Sequence, residues 1–135
     1  MKRIICLFLV LFCVSSMFLS AAAATLEDEI QPRWSYLNSV AADLDINWLG
    51  VATCTGSAVA RDSVTIELCI YLQQRTQSGW ETLRTWTSTG EVSSGVQGQY
   101  AVYKGFTYRV IVSAVVYDIQ GNILETGSAS DLFIY

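Results

Sequence analysis

Hydrophobic and polar residues alternate along most of the chain after residue 34, with the period of two that is typical of β-strands solvated on one face. In the first such segment the apolar face carries Val40, Ala42, Leu44, Ile46 and Trp48. In a later segment it carries Val64, Ile66, Leu68, Ile70 and Leu72. Each segment predicts a strand with one buried face, and Trp48 is assigned to the core.

Turn-forming residues separate these segments, and the remaining strands are less regular. Trp80, Leu83 and Trp86 do not share one parity, so a β-bulge is expected in their strand. Val96 to Val102 is typical of an edge strand, whereas Phe106 to Tyr117 is apolar on both faces and predicts a central one. The last strand is expected to be interrupted at Gly127-Ser128. Turns are predicted at Leu49-Gly50, Arg61-Asp62, Gln77-Ser78-Gly79 and Gln120-Gly121-Asn122.

About seven short strands without an amphipathic helix predict an all-β domain, an antiparallel β-sandwich of the immunoglobulin or fibronectin type III kind. A small barrel is the alternative. The segment Lys104 to Val110 resembles the tyrosine corner of fibronectin type III domains, in which a tyrosine hydroxyl bonds to nearby backbone. Tyr108 would be that tyrosine, and its parity also assigns it to the core.

Several segments together resemble a family of small, uncharacterised secreted proteins of Gram-positive bacteria with such a sandwich. The resemblance implies export and the fold, but it brings no activity and no catalytic residue. The segments are Gln31-Pro32-Arg33-Trp34, Cys54-Thr55-Gly56-Ser57, Leu72-Gln73-Gln74, Trp80 to Trp86, and Gly105-x-x-Tyr108-Arg109-Val110.

The first 24 residues have the layout of a cleavable signal peptide. Lys2 and Arg3 precede an apolar run, and the alanines at 21–24 offer a cleavage site. Residues 25–33 then form an acidic leader without periodicity, and residues 34–135 form the domain. The expected product is secreted to the extracellular space, with no membrane association after signal cleavage.

Composition excludes several functions of the exported chain. Signal removal leaves six basic and twelve acidic residues, which disfavours nucleic acid as a partner. The sequence contains no histidine, so Ser-His-Asp catalysis and the commonest zinc ligand are excluded, and no metal or cofactor is expected. Asp43 and Asp45 leave a small glycan-active enzyme as an unfavoured alternative, because solubility explains them as well.

Cys54 and Cys69 are the two cysteines that remain after signal removal, and an exported protein predicts a disulfide between them. A two-residue hairpin turn at Arg61-Asp62 would set the cysteines directly opposite each other. In a true fibronectin topology, however, their two strands lie in different sheets, and a bridge would require both side chains to point inward.

Three aromatic residues fall outside the apolar pattern and predict a ligand-binding face: Tyr71, Trp80 and Tyr117. Exposed aromatic rings stack on sugars or anchor protein partners. The expected function is therefore that of a non-enzymatic secreted module that binds a surface glycan or a protein. The first alternative is a structural protein that self-assembles through its edge strands.

Overall fold

Seven strands form in the computed structural model, which describes residues 33–135. The predicted signal peptide and residues 25–32 of the leader lie outside this range. Within it, no helix is long and apolar enough to span a membrane. The strands are β1 (Leu37–Ile46), β2 (Val51–Ala60), β3 (Thr65–Thr76), β4 (Gly79–Glu91), β5 (Ser93–Ala101), β6 (Thr107–Tyr117) and β7 (Ile123–Ile134).

All paired strands are antiparallel, and they form two sheets with the orders β1-β2-β5 and β4-β3-β6-β7. The chain crosses between the sheets after β2, β4 and β5. Val92 alone links β4 to β5, with a left-handed φ of 63° that β-branched residues rarely adopt. Its N–H donates to the Val64 carbonyl (3.1 Å), and its carbonyl accepts from the Ala60 N–H (2.7 Å). The two sheets confirm the predicted all-β sandwich.

The core depends on a difference in side-chain size between the sheets. The inward face of β2 is small, consisting of Ala52, Cys54, Gly56, Ala58 and Ala60. β3 and β6 contribute larger inward residues, among them Ile66, Leu68, Ile70, Leu72, Val110 and Val112. A Cβ atom on Gly56 would lie 2.9 Å from both Ile70 and Val112. The two sheets are therefore packed as closely as the backbone of β2 allows.

Trp86 closes one side of the sandwich, between β4 and β5. Its ring packs on Gly98 of β5, where a Cβ atom would collide with the indole. Between Leu72 and Gln73, the pairing of β3 with β4 shifts by one residue, so Leu83 is the extra residue of a bulge. The predicted bulge is confirmed, and it lets Leu83 and Trp86 both pack against the core while Trp80 shares the opposite face with Arg75.

Two carboxylates close the other side, where β7 lies beside the free edge of β1. Glu125 accepts hydrogen bonds from the N–H groups of Ser35 (2.7 Å), Tyr36 (2.9 Å) and Leu37 (2.7 Å). Asp131 accepts one from the Leu44 N–H (2.9 Å). These bonds link the sheets and occupy donors that an unpaired edge would offer to another chain.

The predicted disulfide between Cys54 and Cys69 is wrong, because the hairpin does not form and the two side chains do not both point inward between the sheets. β2 pairs with β1 and β5, whereas β3 pairs with β4 and β6. The Cys54 side chain is buried between the sheets, but Cys69 lies on the outward face of β3, and both thiols are free. Burial raises the pKa of the Cys54 thiol to about 11, so this cysteine is unreactive at neutral pH.

Tyr108 is in the core, as predicted, and its hydroxyl donates to the Tyr103 carbonyl (2.8 Å) and accepts from the Tyr103 N–H (3.0 Å). Trp48 was wrongly assigned to the core: its side chain is 81% exposed in the turn after β1. The last strand is not interrupted at Gly127-Ser128 either. β7 is continuous there, and Leu37 occupies the space that a Gly127 side chain would fill.

The Glu125 contacts predict a pH-dependent contribution to stability. Burial raises the pKa of Glu125, but the hydrogen bonds from Leu37, Ser35 and Tyr36, with the charge of Arg61, lower it by more, so the net pKa falls below its ordinary value of 4.5. A lowered folded-state pKa stabilises the fold above the unfolded pKa, and this stabilisation is lost as pH falls through the folded value.

Glu125→Gln should therefore lower the free energy of unfolding by about 1–2 kcal/mol at pH 7 and by much less near pH 3. Urea denaturation at both pH values measures this difference. Glu91→Gln, on β4, is the control and should change stability by less than about 0.5 kcal/mol at either pH. A Glu125→Gln effect that is the same at both pH values would contradict the account.

Candidate functional site

The outward face of the four-stranded sheet carries all three aromatic residues that the sequence predicted as a ligand face. Trp80 pairs with Arg75 on β3, and Tyr117 pairs with Thr65. At 3.3 Å per residue, Tyr71 is therefore about 13 Å from the Trp80 position and about 20 Å from the Tyr117 position. The three half-buried rings share one face, but the fold does not bring them together.

Trp80 is instead the centre of a polar group at one end of this face, which we call the Trp80 cluster: Gln73, Arg75, Trp80, Thr82 and Arg109. The Arg109 guanidinium carbon lies 4.1 Å from the centre of the indole, and that of Arg75 lies 5.6 Å away. Both distances are typical of cation–π contacts. Three adjacent strands, β4, β3 and β6, supply the cluster.

Hydrogen bonds across the strands hold the cluster in place. Arg109 Nε donates to Gln73 Oε1 (2.8 Å), and Gln73 Nε2 donates to Thr82 Oγ1 (3.0 Å). The three residues are cross-strand neighbours in the register. One edge of the Arg109 guanidinium is thus engaged while its terminal NH₂ groups remain as further donors.

Tyr71 and Cys69 lie further along the same face and differ chemically from the Trp80 cluster. A side-chain hydrogen bond with Cys69 is the largest cause that raises the pKa of Tyr71, followed by the Cys69 charge, burial and the Glu67 charge. The Tyr71 phenol is therefore protonated at neutral pH and offers a neutral hydroxyl.

A second exposed surface, the aromatic end, lies where β1 turns into β2 and β5 leads into β6: Trp48, Leu49, Tyr103 and Phe106. Trp48 is 81%, Tyr103 78% and Leu49 67% exposed. Asn47 Oδ1 accepts from the N–H groups of Leu49 and Val51 (both 3.0 Å), and the Tyr108 hydroxyl holds the Tyr103 backbone. These bonds fix the backbone that carries the exposed rings.

Sequence reasoning missed both groupings. The alternating pattern of β1 extends through Trp48, although the strand ends at Ile46 and Asn47 begins a turn. An Asn followed three residues later by Gly was the available signal. The sequence pattern gave no indication that Arg75 and Arg109 lie beside the same Trp80 indole, because only the strand order brings them there.

The acidic candidates from the sequence and the small cavity both lie away from the Trp80 cluster. Asp43 and Asp45 are exposed on the outward face of β1. A small cavity of about 170 Å³ lies at the end opposite the aromatic end, lined by Ser63, Val64, Thr65, Glu91 and Ile119. Residues 33–135 contain no group of three or more His, Cys, Asp or Glu side chains that could hold a metal ion.

Compared with known proteins, the chain matches no family model and no curated protein.

Proposed function

We propose that the protein is a secreted, non-enzymatic binding module that holds a glycan against the outward face of its four-stranded sheet, at the Trp80 cluster. The observation that carries the proposal is the placement of the Trp80 indole beside three hydrogen-bonded polar side chains, Thr82, Gln73 and Arg109. An aromatic ring with adjacent fixed donors and acceptors matches a sugar, which has apolar C–H faces and peripheral hydroxyls.

The shape of the surface favours a polymer over a small molecule. Small-molecule sites are concave and bury most of their ligand. The cavity of about 170 Å³ lies at the far end of the sandwich, away from the Trp80 cluster. An extended chain can instead lie along the sheet, where it meets the hydroxyls of Thr85, Thr87 and Thr89 on β4.

The fold supports a recognition role of the immunoglobulin or fibronectin type III kind. The strand orders β1-β2-β5 and β4-β3-β6-β7 and the bond between the Tyr108 hydroxyl and the Tyr103 carbonyl both fit that kind of sandwich. Binding by a rigid sheet needs no catalytic group, in keeping with the absence of histidine from the chain.

Trp80→Ala should weaken glycan binding at least tenfold while the domain stays folded, because it removes the ring and leaves the core intact. Affinity electrophoresis in gels containing dextran, xylan or polygalacturonate measures the change. Trp48→Ala is the matched control, since it removes an exposed indole outside the cluster and should leave retardation unchanged. Equal loss with both variants, or no retardation of the wild-type protein in any gel, would contradict the proposal.

Self-association is a second candidate function, and the aromatic end favours it. Large exposed apolar groups such as Trp48, Leu49 and Tyr103 mark interaction surfaces on soluble proteins. A second copy could cover them without help from the edge of β1, where Glu125 and Asp131 already accept hydrogen bonds from the Leu37 and Leu44 N–H groups.

If this second function holds, the weight-average mass from light scattering should rise with concentration and return to the monomer value in Trp48→Ser/Tyr103→Ser. Ile119→Ser is the control, because Ile119 is 96% exposed at the opposite end. A constant monomer mass up to millimolar concentration would exclude this candidate.

A further inference from the structure

The charge distribution around the Trp80 cluster identifies the class of glycan. We infer that the ligand is an acidic polysaccharide, whose carboxylate or sulfate groups bind the Arg75 and Arg109 guanidinium groups while a sugar ring lies beside Trp80. This inference rests on the proposed function, since it specifies the ligand of the same face.

The two arginines are held in a way that suits oxyanion binding. Both guanidinium groups lie near one indole, Arg109 at 4.1 Å and Arg75 at 5.6 Å from its centre. The ring partly offsets the repulsion between two like charges, and an anion near both would remove it. Arginine binds planar oxyanions through two parallel N–H bonds, and Arg109 keeps its terminal NH₂ groups for this, since only Nε is bonded to Gln73.

Acidic residues on this face lie far from the cluster. The register places the outward carboxylates of β3 and β4 at Glu67 and Glu91, near the opposite end of the sheet. Glu67 is six residues from Gln73 along β3, or about 20 Å. Glu81 follows Trp80 in sequence but has the opposite parity and pairs with Gln74.

Salt screens the repulsion between an anionic ligand and the distant acidic residues of the protein. The charges within the cluster therefore matter more for binding than the overall negative charge. The Debye length is about 8 Å at physiological ionic strength, so charges 20 Å away act only weakly at the cluster. An anionic polymer that would be repelled by the net charge of the chain can therefore bind at this end of the sheet.

The neighbouring side chains favour a glycan over an acidic peptide. Outward positions further along the face from the cluster carry short hydroxyl side chains on three strands, namely Thr85 and Thr87 on β4, Ser113 on β6, and Ser128 and Ser130 on β7. Hydroxyls are both donors and acceptors, which matches the hydroxyls of a sugar chain. The same face also carries Leu132 opposite Arg109 and Ile111 opposite Tyr71, so the comparison with poly-L-glutamate below distinguishes a peptide ligand from a glycan.

Isothermal titration of the secreted protein with an oligogalacturonate, and with the same oligomer after methyl esterification of its carboxylates, tests the inference directly. The acid should bind, and the ester should bind at least tenfold more weakly. Arg75→Gln/Arg109→Gln should weaken binding of the acid at least tenfold, and the single variant Arg75→Gln should weaken it less. Dextran sulfate against dextran repeats the comparison for sulfate groups.

Arg33→Gln/Arg61→Gln is the control of equal charge change, near the start of β1 and the end of β2, and should alter the affinity less than twofold. Equal losses in the two double variants would show non-specific attraction and overturn the inference. Equal binding of acid and ester would overturn it too, but would leave the proposed glycan-binding function standing. Tighter binding of poly-L-glutamate than of any polysaccharide, or binding of no polysaccharide, would overturn both.

Discussion

The small side chains on the inward face of β2 are the constraint on which the rest of the structure depends. Gly56 and its neighbours let β2 approach Ile70 and Val112 so closely that a single added methyl group would collide. β2 packs across the sandwich from β3 and pairs instead with β1 and β5. Cys54 becomes a core residue, and β3 turns its polar residues, Cys69 among them, to solvent.

Both open sides of this sandwich are closed by side chains, and neither closure uses the outward faces of the two sheets. Trp86 on Gly98 closes the β4–β5 side, and the carboxylates of Glu125 and Asp131 close the β1–β7 side. The outward face of the four-stranded sheet contributes to neither closure. Its Trp80 cluster nevertheless spans three strands in fixed geometry, which is the arrangement expected where a surface recognises a ligand.

Strand positions were predictable from the sequence wherever one face is buried, because burial imposes the period of two on β3 and β6. The bulge at Leu83 was also predictable, because Trp80, Leu83 and Trp86 do not share one parity. Trp48 was misassigned because apolar alternation does not reveal where a strand ends. The disulfide prediction was wrong because the register of a presumed hairpin does not show whether the chain crosses to the other sheet. The Arg109–Trp80 contact could not be predicted from the sequence, because it depends on the strand order β4-β3-β6.

We propose that the protein meets its ligand on the outward face of the four-stranded sheet, centred on Trp80. The most direct test is an NMR titration of the ¹⁵N-labelled protein with an oligogalacturonate, following backbone amides and the Trp80 indole N–H. The account predicts shifts confined to Gln73, Arg75, Trp80, Thr82, Arg109 and their neighbours on the outward face. Shifts centred on Trp48 and Tyr103, or on the three-stranded sheet, would contradict it.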